Sequence, residues 1–219
     1  MDTGILNNSR SLPLASASKL VRNTYTLLAL ALFVGGATAL LATTLQAPPM
    51  HFLLLLAGFY GLYFALVKMR NSAWALLLML ALSVFLGYSV GPILTYYLAI
   101  PQGGELVATA LGSTGVVFAG LSAYTLISKK DFSFLQGFLL AGALVLLATI
   151  VISLLVDLSA FSMAISAAFV LFYSCIILYE TSRLIHDPNA NYILAAASLF
   201  VSIYALFLNF LHIFGASGE

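Results

Sequence analysis

Residues 106–128 read LVATALGSTGVVFAGLSAYTLIS, with Glu105 immediately before them and Lys129-Lys130 immediately after. As a helix rising about 1.5 Å per residue, this uncharged run is long enough to cross roughly 30 Å of hydrocarbon. Its flanks also give the crossing a direction, because lysine and arginine stay on the cytoplasmic side. The same alternation governs the rest of the chain. Charged residues leave further uncharged runs at 23–67, 71–104, 132–156, 158–179 and 188–218, each long enough to span. The first allows two crossings, interrupted by Gln46-Ala47-Pro48-Pro49, which reads as a tight turn. Seven helices follow, at roughly 24–45, 51–67, 73–98, 105–127, 133–156, 159–180 and 191–214.

Sorting the charges by gap sets the topology. Arg10, Lys19 and Arg22 precede the first helix, Lys68 and Arg70 follow the second, Lys129 and Lys130 the fourth, and Arg183 the sixth. The opposite gaps hold Glu105 and Asp157 and no basic residue. The N-terminus is therefore expected in the cytoplasm and the C-terminus outside. The expected class is an all-α, polytopic membrane protein: a cytoplasmic tail over 1–22 and a seven-helix domain over 23–219, with the lipid bilayer as its first partner.

Composition agrees. A chain that is 63% hydrophobic and 7% charged, with a mean hydropathy of +1.11, would not stay soluble as a globule. The long polar lead and long first apolar run argue against a cleaved signal peptide. A net charge of +1 argues against nucleic acid or a strongly anionic partner. The single Cys175, inside the sixth helix, offers no intramolecular disulfide or CxxC site.

The helices differ in polarity. The second and fifth carry few polar groups and suit a lipid-facing position. On the seventh, Asn191, Ser198, Ser202 and Asn209 lie within roughly 20° of one line at about 100° per residue. Such a seam faces protein or water, either as interhelical packing or as a solvated path. On the sixth, Ser159, Ser162, Ser166, Tyr173 and Glu180 share an arc of roughly 60°. Glu180 lies toward the cytoplasmic end, with Arg183 three residues on. The two read either as an interfacial ion pair or as a titrating carboxylate beside its counter-charge. The candidate polar core is thus Glu180, Arg183, Ser198, Ser202 and Asn209. On the third helix, Ser83, Gly87, Gly91 and Thr95 recur every four residues as a small ridge for close contact, with Gly91-Pro92 expected to kink it.

Catalysis finds no foothold in the sequence. His51, His186 and His212 accompany no GxSxG turn. Asp157 and Glu180 belong to opposite ends, which excludes an aspartyl dyad. No HExxH occurs, and no phosphate-cradling glycine loop precedes a lysine. His186-Asp187 reads as a solvated loop pair rather than a metal site. No enzyme, cofactor or metal is expected.

Several stretches resemble the Bax inhibitor (transmembrane Bax inhibitor motif) family, in its bacterial YccA branch. They are Val21-Arg22-Asn23-Thr24-Tyr25, Phe85-Leu86-Gly87-Tyr88 with Gly91-Pro92-Ile93-Leu94, Ser122-Ala123-Tyr124, and Lys130-Asp131-Phe132-Ser133-Phe134. Ala164-Ile165-Ser166-Ala167, Glu180-Thr181-Ser182 with Ile185-His186, and Asn191-Tyr192-Ile193 continue the series. The resemblance implies seven helices with the last one central. Many members resemble pH-gated calcium leak proteins with one acid near the end of helix six and another in a Leu-Tyr-x-Asp motif of helix seven. Glu180 matches the first acid. The second motif matches Leu199-Phe200-Val201-Ser202, so serine replaces the aspartate and the coupled acid pair is lost. The bacterial branch instead resembles an inner-membrane partner and inhibitor of FtsH, the membrane-anchored ATP-dependent protease. The expected function is an FtsH-binding modulator of the bacterial inner membrane, with a calcium or proton leak as the alternative.

Overall fold

A computed structural model describes residues 14–153, 155–187 and 189–216, with side chains from Ser18 onward. Seven α-helices follow one another: α1 (Leu14–Thr44), α2 (Phe52–Lys68), α3 (Trp74–Leu98), α4 (Gly103–Ser128), α5 (Leu135–Ser153), α6 (Ser162–His186) and α7 (Tyr192–Ala216). A single 3₁₀ turn, Ser159–Phe161, leads into α6. Six helices are long and apolar enough to cross a bilayer, and α2, with 17 residues, reaches about 25 Å at about 1.5 Å per residue. The chain is a polytopic membrane protein of seven helices.

Local chemistry sets the breaks. After α1 the backbone turns left-handed at Gln46 (φ 49°), and Pro48-Pro49 cannot continue the helix. The ring nitrogen Nδ1 of His51 accepts the Leu53 amide at 3.4 Å and caps α2. α4 ends where Lys129 adopts the left-handed region (φ 51°). Asn191 caps α7, its Oδ1 accepting the amides of Ile193 and Leu194 at 2.9 and 3.2 Å.

α7 is the most buried element and lies at the centre, packed against α1, α3, α4 and α6. Leu199 and Leu206 are sealed there among Leu28, Leu66, Leu82 and Ile177 from four other helices, and Leu211 is buried in a second cluster with Ala39, Val90, Leu94 and Ala110. α2 joins the bundle through α3, and α5 through α6. No residue of α5 is buried, as expected of a lipid-facing helix.

The small ridge of α3 serves close packing. Ser83, Gly87 and Gly91 are buried against α1, and α1–α3 is the most extensive contact in the bundle. A Cβ on Gly87 would collide with the Gly35 carbonyl, and one on Gly91 with Ala42. Only glycine allows these backbones to meet. Pro92 sits inside α3 next to Gly91, whose carbonyl accepts the Thr43 and Thr95 hydroxyls at 3.2 and 3.0 Å.

Two boundaries differ most from the sequence reading. α1 starts at Leu14, so residues 14–22 of the expected tail are helical; Leu, Ala and Lys favour that extension. Residues 1–13, with Arg10, and the C-terminal Glu219 lie outside the described residues. α6 runs on to His186 rather than stopping at Glu180, because Thr181, Ser182 and Leu184 are buried and prolong the packed face.

Candidate functional site

That extension changes the setting of Glu180. With six further helical residues beyond it, about 9 Å of axis, the carboxylate lies inside the bundle and not at its rim. Its side chain keeps only 13% exposure. Across the interface Ser198 of α7 lies beside the carboxylate, and Tyr63 of α2 is within electrostatic reach. A buried carboxylate depends on such donors, since an unsatisfied one carries a large desolvation cost.

Arg183 divides its charge between two acids. Its Nη1 stands 4.0 Å from Glu180 Oε2, at the edge of ion-pair contact. Its Nε donates to Asp187 Oδ2 at 3.2 Å, one turn further on. Asp187 is the closer partner, and its other oxygen accepts the Asn189 amide at 2.8 Å. His186 donates from Nδ1 to the Ser182 carbonyl at 2.9 Å. The His186-Asp187 pair therefore finishes the helix.

The predicted α7 seam divides by role. Ser198 faces Glu180. Ser202, 1% exposed, donates to the Ser198 carbonyl at 2.8 Å, and Asn209 donates to the Ala205 carbonyl at 2.7 Å. These two hydroxyl and amide groups are spent on their own helix, as membrane serines often are. Asn191 caps the helix and ties it to the α2–α3 loop through Nδ2 and the Arg70 carbonyl at 3.1 Å. Of the five candidate residues, the structure brings together Glu180, Arg183 and Ser198. Ser202 adjoins them through the Ser198 backbone, and Asn209 lies about 16 Å further along the axis from Ser198.

The fold adds contacts that the sequence reading did not find. Ser166 on α6 lies 3.2 Å from His212 Nδ1 on α7. Tyr204 and Ser89 share a hydrogen bond at 2.9 Å, linking α7 to α3. The Ser182 hydroxyl accepts the Phe132 amide at 2.9 Å and reaches the Lys130 carbonyl at 3.2 Å, so it fastens the α4–α5 loop onto α6. In that loop, the Ser133 amide donates to Asp131 Oδ1 at 2.8 Å and holds the Asp131 carboxyl below its ordinary range, aided by the Ser133 hydroxyl and nearby His186. Pairing the polar arc of α6 with α7 in antiparallel register is the signal that could have found Ser166–His212.

A last helix at the centre of a seven-helix bundle is the arrangement that the sequence resemblance implied. Residues 17–219 match the family described as Bax1-I, inhibitor of apoptosis-promoting Bax1. The chain belongs to the Bax inhibitor family. Among its relatives, an uncharacterized protein of Pseudomonas aeruginosa is 50% identical over 92% of this chain and 90% of its own length. The modulator of FtsH protease YccA of Escherichia coli is 42% identical over 98% of both chains. An uncharacterized membrane protein of Vibrio cholerae is 36% identical over 98% of this chain and 97% of its own. Ser202, which the sequence resemblance sets against a second acid, directs its hydroxyl to the Ser198 carbonyl.

Proposed function

We propose that this protein binds and restrains FtsH, the membrane-anchored ATP-dependent protease, within the bacterial inner membrane, and that it does so without catalysis of its own. The observation carrying this reading is full-length similarity, at 42% identity, to a protein named as modulator of FtsH protease. A second Escherichia coli relative with the same identity is named an inner membrane protein. The physical design fits an inhibitor that engages the protease and resists it. Extraction must break an α1–α3 interface in which backbones touch at glycine, and must pull α7 from the centre of the bundle. The chain before α1 supplies a cytoplasmic handle for an ATPase, on the orientation that the basic residues imply.

The polar core acts in this reading as a structural tie between α6 and α7. A leak pathway built on two coupled acids has only Glu180 to work with here.

Tagged protein expressed at its natural level should copurify FtsH from solubilised inner membranes, while an unrelated seven-helix protein at the same level should not. Deleting residues 2–13 should slow FtsH-dependent degradation and leave association intact. Absence of FtsH from the purified material at natural expression would refute the proposal.

A further inference from the structure

A crevice of about 490 Å³ lies between α1 and α4, with α3 and α7 as its floor. α1 and α4 have no substantial contact with each other, so the crevice opens sideways between them. Its depth is reached at Ala39, Val90 and Phe207, all buried, and its mouth is flanked by Leu40, Leu98 and Leu111, which are exposed. Every lining segment lies within a membrane-spanning helix.

We propose that this crevice holds one acyl chain of a phospholipid from the leaflet opposite the Lys- and Arg-bearing loops. Its chemistry excludes a polar ligand. The hydroxyl-bearing residues in the wall are Thr43, bonded to the Ala39 and Gly91 carbonyls at 2.8 and 3.2 Å, and Tyr204, bonded to Ser89. Both are satisfied internally and the remaining lining is apolar, so nothing there would compensate a polar group for lost water.

Its size excludes a transmembrane helix of another protein. A helix about 10 Å across would fill 490 Å³ in little more than one turn, whereas a single flexible hydrocarbon chain fits the narrow depth. Its position selects the leaflet. The mouth lies by Thr43, Leu98 and Val107, close to the end of α1, the end of α3 and the start of α4. From there the crevice descends toward Leu32 and Phe200, the direction an acyl chain takes from its headgroup. Gly36 keeps it open: a Cβ built there meets nothing within 4 Å, unlike the crowded Gly35 beside it.

The test uses the full chain in vesicles of phosphatidylethanolamine and phosphatidylglycerol. A small share of the phosphatidylethanolamine carries a photoactivatable diazirine at the end of one acyl chain. After irradiation, labelled peptides are mapped by mass spectrometry. Label should concentrate on the 32–43 and 200–207 segments, well above that on α5, which has no buried residue and meets bulk lipid along its length. Gly36→Phe should lower crevice labelling severalfold and leave α5 labelling unchanged. Gly36→Leu should act in the same direction and keeps the proposal testable if the larger residue impairs folding, since leucine is also the better helix former. Labelling no higher than on α5, or unaffected by either variant in folded protein, would mean ordinary annular lipid and overturn the proposal. So would displacement of the label by free palmitate but not by unlabelled phospholipid, or a crosslink from this wall to another protein's helix in native membranes.

Discussion

Ser166 on α6 meets His212 on α7 at 3.2 Å, fourteen residues along each helix from the pair formed by Glu180 and Ser198. The two helices therefore run antiparallel in register, with polar ties about 21 Å apart on the axis at about 1.5 Å per residue. Tyr173 lies between them and packs against the core. Each tie sets polar groups against one another rather than against hydrocarbon. Together they make α6 and α7 one unit around which the other helices close.

Ser198→Ala should destabilise the folded protein by about 1–3 kcal/mol, because it strips a buried carboxylate of its hydroxyl neighbour. Glu180→Gln removes the charge together with the need to solvate it, and should cost less. Thermal unfolding in mild detergent orders the two variants. A Glu180→Gln loss exceeding that of Ser198→Ala would show that the charge itself, held by Arg183, stabilises the site.

Gly87→Ala should cost about 1–3 kcal/mol, since its methyl group would strike the Gly35 backbone and no rotamer can relieve that. Gly36→Ala, one residue along α1, should be neutral or slightly stabilising. The same melting experiment checks both.

The α4–α5 loop should respond to Ser182 and to acid. Ser182→Ala leaves the Phe132 amide without its acceptor and should cost about 1 kcal/mol, read as faster hydrogen exchange at Phe132. The depressed Asp131 carboxyl stabilises the folded loop above the ordinary Asp value of about 3.9. That contribution disappears as pH falls through its lower folded value. Protection at the Ser133 amide should drop in acid, and Asp131→Asn should lower it at neutral pH and abolish the acid response.

In liposomes the wild-type protein should pass little calcium, with weak pH dependence, because residue 202 is serine. Ser202→Asp should make flux pH-sensitive, or should destabilise the protein at neutral pH where both acids must ionise. Strong pH-gated flux through the wild type, abolished by Glu180→Gln, would put an ion leak ahead of protease modulation.

A reporter fused after Glu219 should read as periplasmic, and one inserted between Lys129 and Asp131 as cytoplasmic. A cytoplasmic C-terminus would reverse the orientation on which the N-terminal handle depends.

The sequence by itself determined the helices and the order in which they cross. Backbone groups in hydrocarbon must be satisfied within each segment, so every uncharged run becomes a helix, and the Lys and Arg clusters mark its ends. The observed bounds of α3, α4 and α7 lie close to those expectations. Periodicity also showed which faces of α6 and α7 were polar. Tertiary structure alone decided what those faces do. Whether Ser198 meets Glu180 while Ser202 and Asn209 bond their own helix depends on interhelical distance and rotation, which no single-helix pattern encodes. The same holds for α6, which continues past Glu180 because burial of Thr181, Ser182 and Leu184 outweighs the polarity that made the sequence look finished there. The crevice beside Gly36 is a gap between two helices, and a gap has no residues of its own to read.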